Sequence, residues 1–304
     1  MRRHRLDEDM RRGSATKPRV SVVIPTWNEA KNLPHVFGLL PDDLHEVILV
    51  DGRSVDDTIA VARSLCSDVR VVLQNRKGKG NAMACGFAAA TGDIIVMLDA
   101  DGSADPREIP RFVDALVAGA DFAKGSRFTN GGGSADITRV REWGNRWLNR
   151  TANFLFGSRY TDLCYGYNAF WAHCLPALHL DASDRDSDGR LWGDGFEIET
   201  IINTRIAKAR MRIVEVPSFE FERIHGQSHL NTRRDGLRVM RALLVERVNR
   251  VGTEAAARRL PLPPAQVPHP VPVARAGEPA QANFVAQPNI LAPVSLAAVE
   301  AQTA

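Results

Sequence analysis

Two carboxylates separated by one residue, Asp99 and Asp101, stand at the end of the apolar run Ile94, Ile95, Val96, Met97, Leu98. A run of this kind bounded by charge describes a strand buried on both faces that gives way to a loop where the acids begin. Acids at the mouth of a core strand are costly to leave unpaired. Their i, i+2 spacing lets both approach one divalent cation or its bound water, which is the chemistry of a metal and phosphate site.

The elements that must position this pair can be read along the chain. Val20 to Ile24 form a β-branched run that Pro25 closes, and a helix is expected from about residue 29. A second strand, 45–50, ends in Asp51, Gly52, Arg53 and Ser54, and Asp56, Asp57 and Thr58 offer N-cap chemistry for a helix to about 66. A third strand, 69–73, leads into Lys77, Gly78, Lys79 and Gly80 at the start of a small-residue helix. Glycines beside lysines at a helix start suit an anion. After the acid pair, a helix over 106–118 and a strand over 121–125 are expected. The alternation describes an α/β protein with a doubly wound, mostly parallel sheet, whose crevice lies along the strand ends and gathers Asp51, Lys79, Asp99 and Asp101.

Past Gly131, Gly132 and Gly133, a Trp-, Asn- and Arg-rich helix is expected over 138–156. Residues 161–170 read as a strand crossing into a helix, and 181–190 as an acidic surface loop. Asp194 and Glu197 introduce a helix to about 209. A strand over 211–217 precedes the basic loop Arg223 to His229, and a helix over 233–249 mixes leucines with arginines. That helix suits either packing against the body or lying on a membrane surface. The organisation is a disordered lead-in at 1–19, one domain at 20–250 with halves at 20–128 and 129–250, and a Pro- and Ala-rich disordered tail at 251–304.

A net charge of +3 argues against non-specific nucleic-acid binding. The four cysteines, Cys66, Cys85, Cys164 and Cys174, show no zinc spacing, which points to reduced thiols and a cytoplasmic protein. Nowhere do about 18 apolar residues run together, so contact with a membrane would be peripheral.

The motifs Val22 to Glu29, Val50 to Thr58, Lys77 to Gly80 and Leu98 to Asp101 occur in an order and spacing that resembles family 2 nucleotide-sugar glycosyltransferases of the GT-A fold. Gly125 to Arg127, Gly166 to Phe170 and the Arg223, Gly226, Ser228 set resemble the dolichyl- or polyprenyl-phosphate mannose and glucose synthases of that group. The resemblance implies that Pro25, Trp27, Glu29 and Asp51 hold the nucleoside, that Asp99 and Asp101 bind Mg²⁺ or Mn²⁺ with Ala100 against the nucleotide, and that Arg127 and Arg223 meet a diphosphate or an acceptor phosphate. Lys79 would add a charge-assisted hydrogen bond to the leaving diphosphate. The sequence departs from the family at Asp51-Gly52-Arg53-Ser54 and at His229 where a lysine is common, and is expected to resemble the soluble forms rather than the relatives with C-terminal membrane helices.

The activity so implied is an inverting transfer of a hexose from a nucleotide-diphosphate sugar, of GDP-mannose or UDP-glucose type, to a polyprenyl or dolichyl phosphate, peripheral at the cytoplasmic membrane face. A lipid phosphate attacks as an anion, whereas a hydroxyl needs a base, for which Asp194 comes first and Glu197 second. Asp194 would equally serve as a helix cap. The alternatives are the same donor chemistry on a small soluble hydroxyl acceptor and a catalytically silent nucleotide-binding module.

Overall fold

The computed structural model describes residues 17–183, 191–226 and 232–249. Its centre is a seven-stranded sheet in the order β3-β2-β1-β4-β7-β5-β8. The strands are β1 (Val20–Thr26), β2 (Glu46–Asp51), β3 (Arg70–Leu73), β4 (Ile94–Met97), β5 (Phe122–Ser126), β7 (Asn168–Trp171) and β8 (Ile213–Pro217). β1 pairs in parallel with β2 and β4, and β5 with β8. β7 runs antiparallel between β4 and β5. A small parallel pair, β6 (Gly133–Ser134) and β9 (Phe219–Glu220), lies apart from the main sheet.

Alternation along the buried strands feeds two cores. Val22, Leu49 and Val96 pack with Phe112 and Leu116 on one face, while Val23, Ile48, Ile95 and Met97 pack with Met83, Phe170, Ile198 and Ile202 on the other. Helices therefore cover both faces, as a near-continuous apolar strand requires. They are α1 (Leu33–Phe37), α2 (Thr58–Leu65), α3 (Lys79–Ala89), α4 (Ile109–Val117), α5 (Arg139–Phe156), α6 (Leu175–Leu178), α7 (Ile198–Lys208) and α8 (Thr232–Val248). α8 packs on α7 and α5, burying Ala242 and Leu243. Its buried Glu246 accepts from Arg205 Nη2 at 2.9 Å.

Several boundaries moved. No helix starts at Glu29; a turn carries the chain to the short α1, whose start is fixed by Pro34. The stretch expected to cross from strand into helix over 161–170 does so later: Tyr165 and Tyr167 reach the core ahead of β7, and helical turns follow from Ala172 into α6. The helix after Asp194 begins only at Ile198. Residues 1–16 and 250–304, with most of the expected lead-in and the whole expected tail, lie outside the described residues, as does 184–190 of the acidic loop.

β5 also carries a buried lysine. Lys124 donates to the carbonyls of Gly125 at 2.8 Å and Tyr165 at 2.6 Å. Burial pulls its pKa down to about 8, against the opposing influence of Asp162 and Glu215. The unfolded value lies near 10.4, so between the two the unfolded chain holds a proton that the folded one has released. Stability from this group therefore rises with pH across that window, by at most about 1.4 kcal/mol per unit. Urea unfolding of wild type and Lys124→Met at pH 7.5 and 9.5 is expected to show the difference moving in favour of wild type at the higher pH.

Candidate active site

The polar exits of β1 and β2 are knitted together. Asn28, at φ 58°, donates its N–H to Ser54 Oγ at 2.9 Å and accepts from Val55 N at 2.8 Å. Glu29 N donates to Thr58 Oγ1 at 2.9 Å, and Ala30 N to Asp56 Oδ2 at 3.1 Å. Asp57 occupies the N-cap position of α2 without a side-chain cap bond, so Asp56 does the work expected of the pair. Beneath these loops Asp51 is 1% exposed. Its Oδ2 accepts from Ser54 N at 2.9 Å, while Oδ1 has no hydrogen-bond partner among the described residues. A buried carboxylate oxygen without a donor is costly unless a ligand supplies one. Trp27 at the crevice lip is 57% exposed, and Pro25 sits in register with Val50.

Beside β4, Ala100 is buried and the two carboxylates are held differently. Asp101 Oδ1 accepts from Ser103 N at 3.0 Å and Ser103 Oγ at 2.7 Å. Its Oδ2 faces Arg223 Nε at 3.5 Å. Asp99 meets Lys79 Nζ at 2.7 Å, and the same ammonium reaches Glu199 Oε1 at 2.5 Å. Burial works against the Lys79 charge, but Asp99 and Glu199 outweigh it and hold the pKa above the ordinary lysine value. Burial raises the Glu199 carboxyl against the opposing pull of Lys79, and Asp99 pushes it the same way as burial. Gly166 makes this cluster possible: a Cβ there would come within 2.7 Å of Glu199 Oε1 and 3.3 Å of Lys79 Nζ.

Asp99 and Asp101 suit a hard divalent cation, since both are carboxylates and both keep part of their side chains open to solvent, 35% and 23%. Among the described residues no group of three or more His, Cys, Asp or Glu gathers as a complete metal cage. A Mg²⁺-type ion needs no such cage, because it binds through one or two carboxylates with substrate phosphates and water completing the shell.

An arm after β9 closes this end of the crevice. Phe221 N donates to Ser103 O at 2.8 Å and Ile224 N to Asp101 O at 3.3 Å. Arg223 Nη2 donates to Glu29 Oε1 at 2.6 Å, and the backbone of His225 exchanges bonds with the Asn32 amide at 3.0 and 3.1 Å. Arg223 thus joins the acid at the end of β1 to the acid after β4. Burial raises the Glu29 carboxyl; Asn32 and Arg223 pull the other way, and Asp101 and Asp99 add to the rise. A cavity of about 800 Å³ opens beside Gly102, with Phe221 and Ile224 in its lining, and is not lined by Asp99 or Asp101.

The structure brings Glu29, Arg223, Asp101, Asp99 and Lys79 together, but gives two expected residues other partners. Arg127 is 8% exposed and bidentate to Asp162, at 2.7 and 2.9 Å, with Nη1 on Glu220 at 2.8 Å. Burial opposes its charge and Asp162 more than restores it, so its pKa rises. Its guanidinium is committed to these carboxylates. Asp194 is not the cap of α7, where Glu197 holds the N-cap position. Its carboxylate takes Arg76 Nε at 2.9 Å and Nη2 at 3.0 Å, together with Leu191 N at 2.8 Å. Glu197 turns back to accept from Gly195 N at 3.3 Å.

The start of α3 is likewise not an open anion cradle. Gly80 N donates to Asp194 O at 2.9 Å, and any side chain at Gly78 or Gly80 would strike the backbone of residues 193–194. Glu199 is the site residue that sequence reasoning missed. Its only signal was a second acid two residues after Glu197, on what becomes the first turn of α7. Ser228 and His229 lie outside the described residues.

A family model described as Glycosyl transferase family 2 matches residues 21–174. An undecaprenyl-phosphate mannosyltransferase of Micrococcus luteus is 34% identical over 225 residues, covering 70% of this chain and 88% of that protein. A polyprenol monophosphomannose synthase of Mycolicibacterium smegmatis is 34% identical over 227 residues, covering 70% and 81%. Among solved structures, glucosyl-3-phosphoglycerate synthase from Mycobacterium tuberculosis, in complex with Mn²⁺, uridine-diphosphate and glucosyl-3-phosphoglycerate, superposes with a TM-score of 0.58 at 24% identity, covering 75% of this chain and 80% of that one. That likeness is one of fold: a mostly parallel GT-A-like sheet.

Proposed function

Because the chain belongs to glycosyl transferase family 2, we propose that this glycosyltransferase moves a hexose from a nucleotide-diphosphate sugar to a polyprenyl phosphate at the cytoplasmic face of a membrane. The observation that carries the donor half is Asp51 Oδ1, buried and without a donor, in the same row of strand ends as Asp99 and Asp101. A nucleoside N–H or O–H is the kind of group that would satisfy it. The relatives named for lipid-phosphate acceptors, matched over most of their length, support the acceptor half.

In this reading Trp27 offers an aromatic surface and Asp51 and Glu29 offer acceptors to the nucleoside. Asp99 and Asp101 would hold Mg²⁺ or Mn²⁺, which as a Lewis acid supplies stabilisation for negative charge on the leaving diphosphate. Lys79 holds Asp99 in place through a charge-assisted bond, and Arg223 can turn from Glu29 and Asp101 to the diphosphate. An oxygen of the lipid phosphate attacks the anomeric carbon; the bond from that carbon to the diphosphate breaks and its electron pair leaves with the nucleotide, inverting the centre.

An anionic nucleophile has no proton to lose, so no base is required. Asp194 then serves as a positioning residue: it anchors Arg76, and its carbonyl fixes the first turn of the helix that carries Lys79. Glu197, less tied, would be the base for a hydroxyl acceptor.

Removing Arg223 is expected to lower kcat/KM for the donor about 10- to 100-fold, the worth of a charge-assisted hydrogen bond, with Arg223→Lys recovering part of it. Steady-state kinetics on both variants checks this. The reading as a whole is tested with radiolabelled GDP-mannose or UDP-glucose, Mg²⁺ and a short-chain polyprenyl phosphate, followed by organic extraction. Label in the organic phase is the expected result. Label that stays aqueous in a new soluble product would replace the lipid acceptor with a hydroxyl one, and nucleotide binding without turnover would leave a silent binding module.

A further inference from the structure

Helix α5 turns the wrong way for an ordinary surface helix. Its buried face holds Asn145 and Asn149 beside Leu148 and Ala152. Both amides are used inside: Asn145 Nδ2 donates to Asp162 Oδ1 at 3.2 Å, and Asn149 Oδ1 accepts from Leu163 N at 2.8 Å. These bonds fix the rotation of the helix and leave four of its large apolar residues outside. Val140, Trp143, Trp147 and Phe154 are 71%, 71%, 52% and 88% exposed. At the helical period they fall within an arc of about 60°. Arg139, Arg146 and Arg150, all exposed, run along one flank at i, i+7 and i+11. Arg146 pairs with Glu142 at 2.6 Å, whereas Arg139 and Arg150 have no ion-pair partner among the described residues. The neighbouring α8 carries a second exposed row, Leu237, Leu244 and Val248, at the same spacing.

We propose that this tryptophan and arginine stripe lays the protein on an anionic phospholipid bilayer. Tryptophan suits the headgroup level, where its ring is in the apolar layer and its N–H stays wet, and a row of arginines is drawn to anionic lipid. Charge selects this occupant over others. A second copy docked symmetrically on the stripe would bring two arginine rows together. The chain beyond residue 260 has two carboxylates, Glu278 and Glu300, and so little to offer the arginines. No described helix is long and apolar enough to cross a membrane, so contact along a surface is the mode available to this face.

The proposal rests on the lipid-acceptor reading only for its purpose, and the test separates the two. The full chain is sedimented with phosphatidylcholine vesicles, with and without phosphatidylglycerol, in the absence of polyprenyl phosphate. Wild type is expected to bind the anionic vesicles with a blue-shifted tryptophan emission. Trp143→Ser with Trp147→Ser should weaken binding at least about tenfold, and Arg139→Gln with Arg150→Gln should weaken it on anionic vesicles alone. Both double variants should keep the unfolding temperature and, if the acceptor reading holds, transfer to a short-chain polyprenyl phosphate. Equal binding of the tryptophan variant and wild type, or no binding by wild type, overturns the surface. So does a lipid-free dimer that the tryptophan variant dissociates. Vesicle binding that stands while transfer fails overturns the acceptor reading instead.

Discussion

Asp101→Ala is expected to reduce the rate of glycosyl transfer by about 10²- to 10³-fold, the range found when one preorganised group facing developing charge is removed. The fold should survive, because Asp101 is partly open and its losses are the Ser103 bonds and a 3.5 Å contact to Arg223. If the carboxylate holds a divalent cation, the variant should also need more Mg²⁺ for half-maximal activity. Chelation should silence wild type, with Mn²⁺ or Mg²⁺ restoring it. Asp101→Asn separates charge from shape, since the amide oxygen can still accept from Ser103 while the negative charge is gone. A Ser103→Ala control removes only the side-chain orienting bond and should cost far less. Rate against metal concentration for the three variants decides whether Asp101 acts as a ligand or merely as a loop anchor.

That these strand ends share one edge is legible in the amino-acid sequence, for a physical reason. Strands buried on both faces must be continuous apolar runs, so Pro25, Asp51 and Asp99 marked where they end, and strand ends of a doubly wound sheet share one edge. What a sequence does not carry is pairing across distance. Lys79 and Glu199 lie 120 residues apart, Arg76 and Asp194 lie 118 apart, and Arg127 and Asp162 lie 35 apart. Which acids Lys79 meets depends on a long-range return of the chain: β7 runs antiparallel between β4 and β5, and Gly166 just ahead of it lies beside the Lys79 cluster. The outward face of α5 was hidden for a related reason. Asparagines ordinarily face water, and only the buried polar partners at Asp162 and Leu163 show that here they face in.

Asp194→Ala is expected to destabilise the protein by about 3–5 kcal/mol, because it leaves the Arg76 charge buried without its counter-charge. The Arg76 and Asp194 side chains are 4% and 5% exposed, so water cannot replace the lost partner without opening the loop. The carbonyls of Asp181 and Ser183, at 2.7 and 2.6 Å, still accept from Arg76 but carry no full charge. For a domain of this size the loss corresponds to a fall in Tm of roughly 6–20 °C. Replacing both partners, as Arg76→Met with Asp194→Leu, should cost less than Asp194→Ala alone, since no buried charge then remains unpaired. The same variants separate two roles in transfer. A general base at Asp194 predicts loss of kcat and a changed pH profile in Asp194→Ala while Arg76→Met stays active. A positioning residue predicts that both single variants loosen the turn between Asp194 O and Gly80 N and lose activity together, with the limbs of the pH profile unmoved. Because that turn starts the helix bearing Lys79, the shared loss should appear with Asp99 still in place and should be partly recovered at lower temperature, where the loop is held closed.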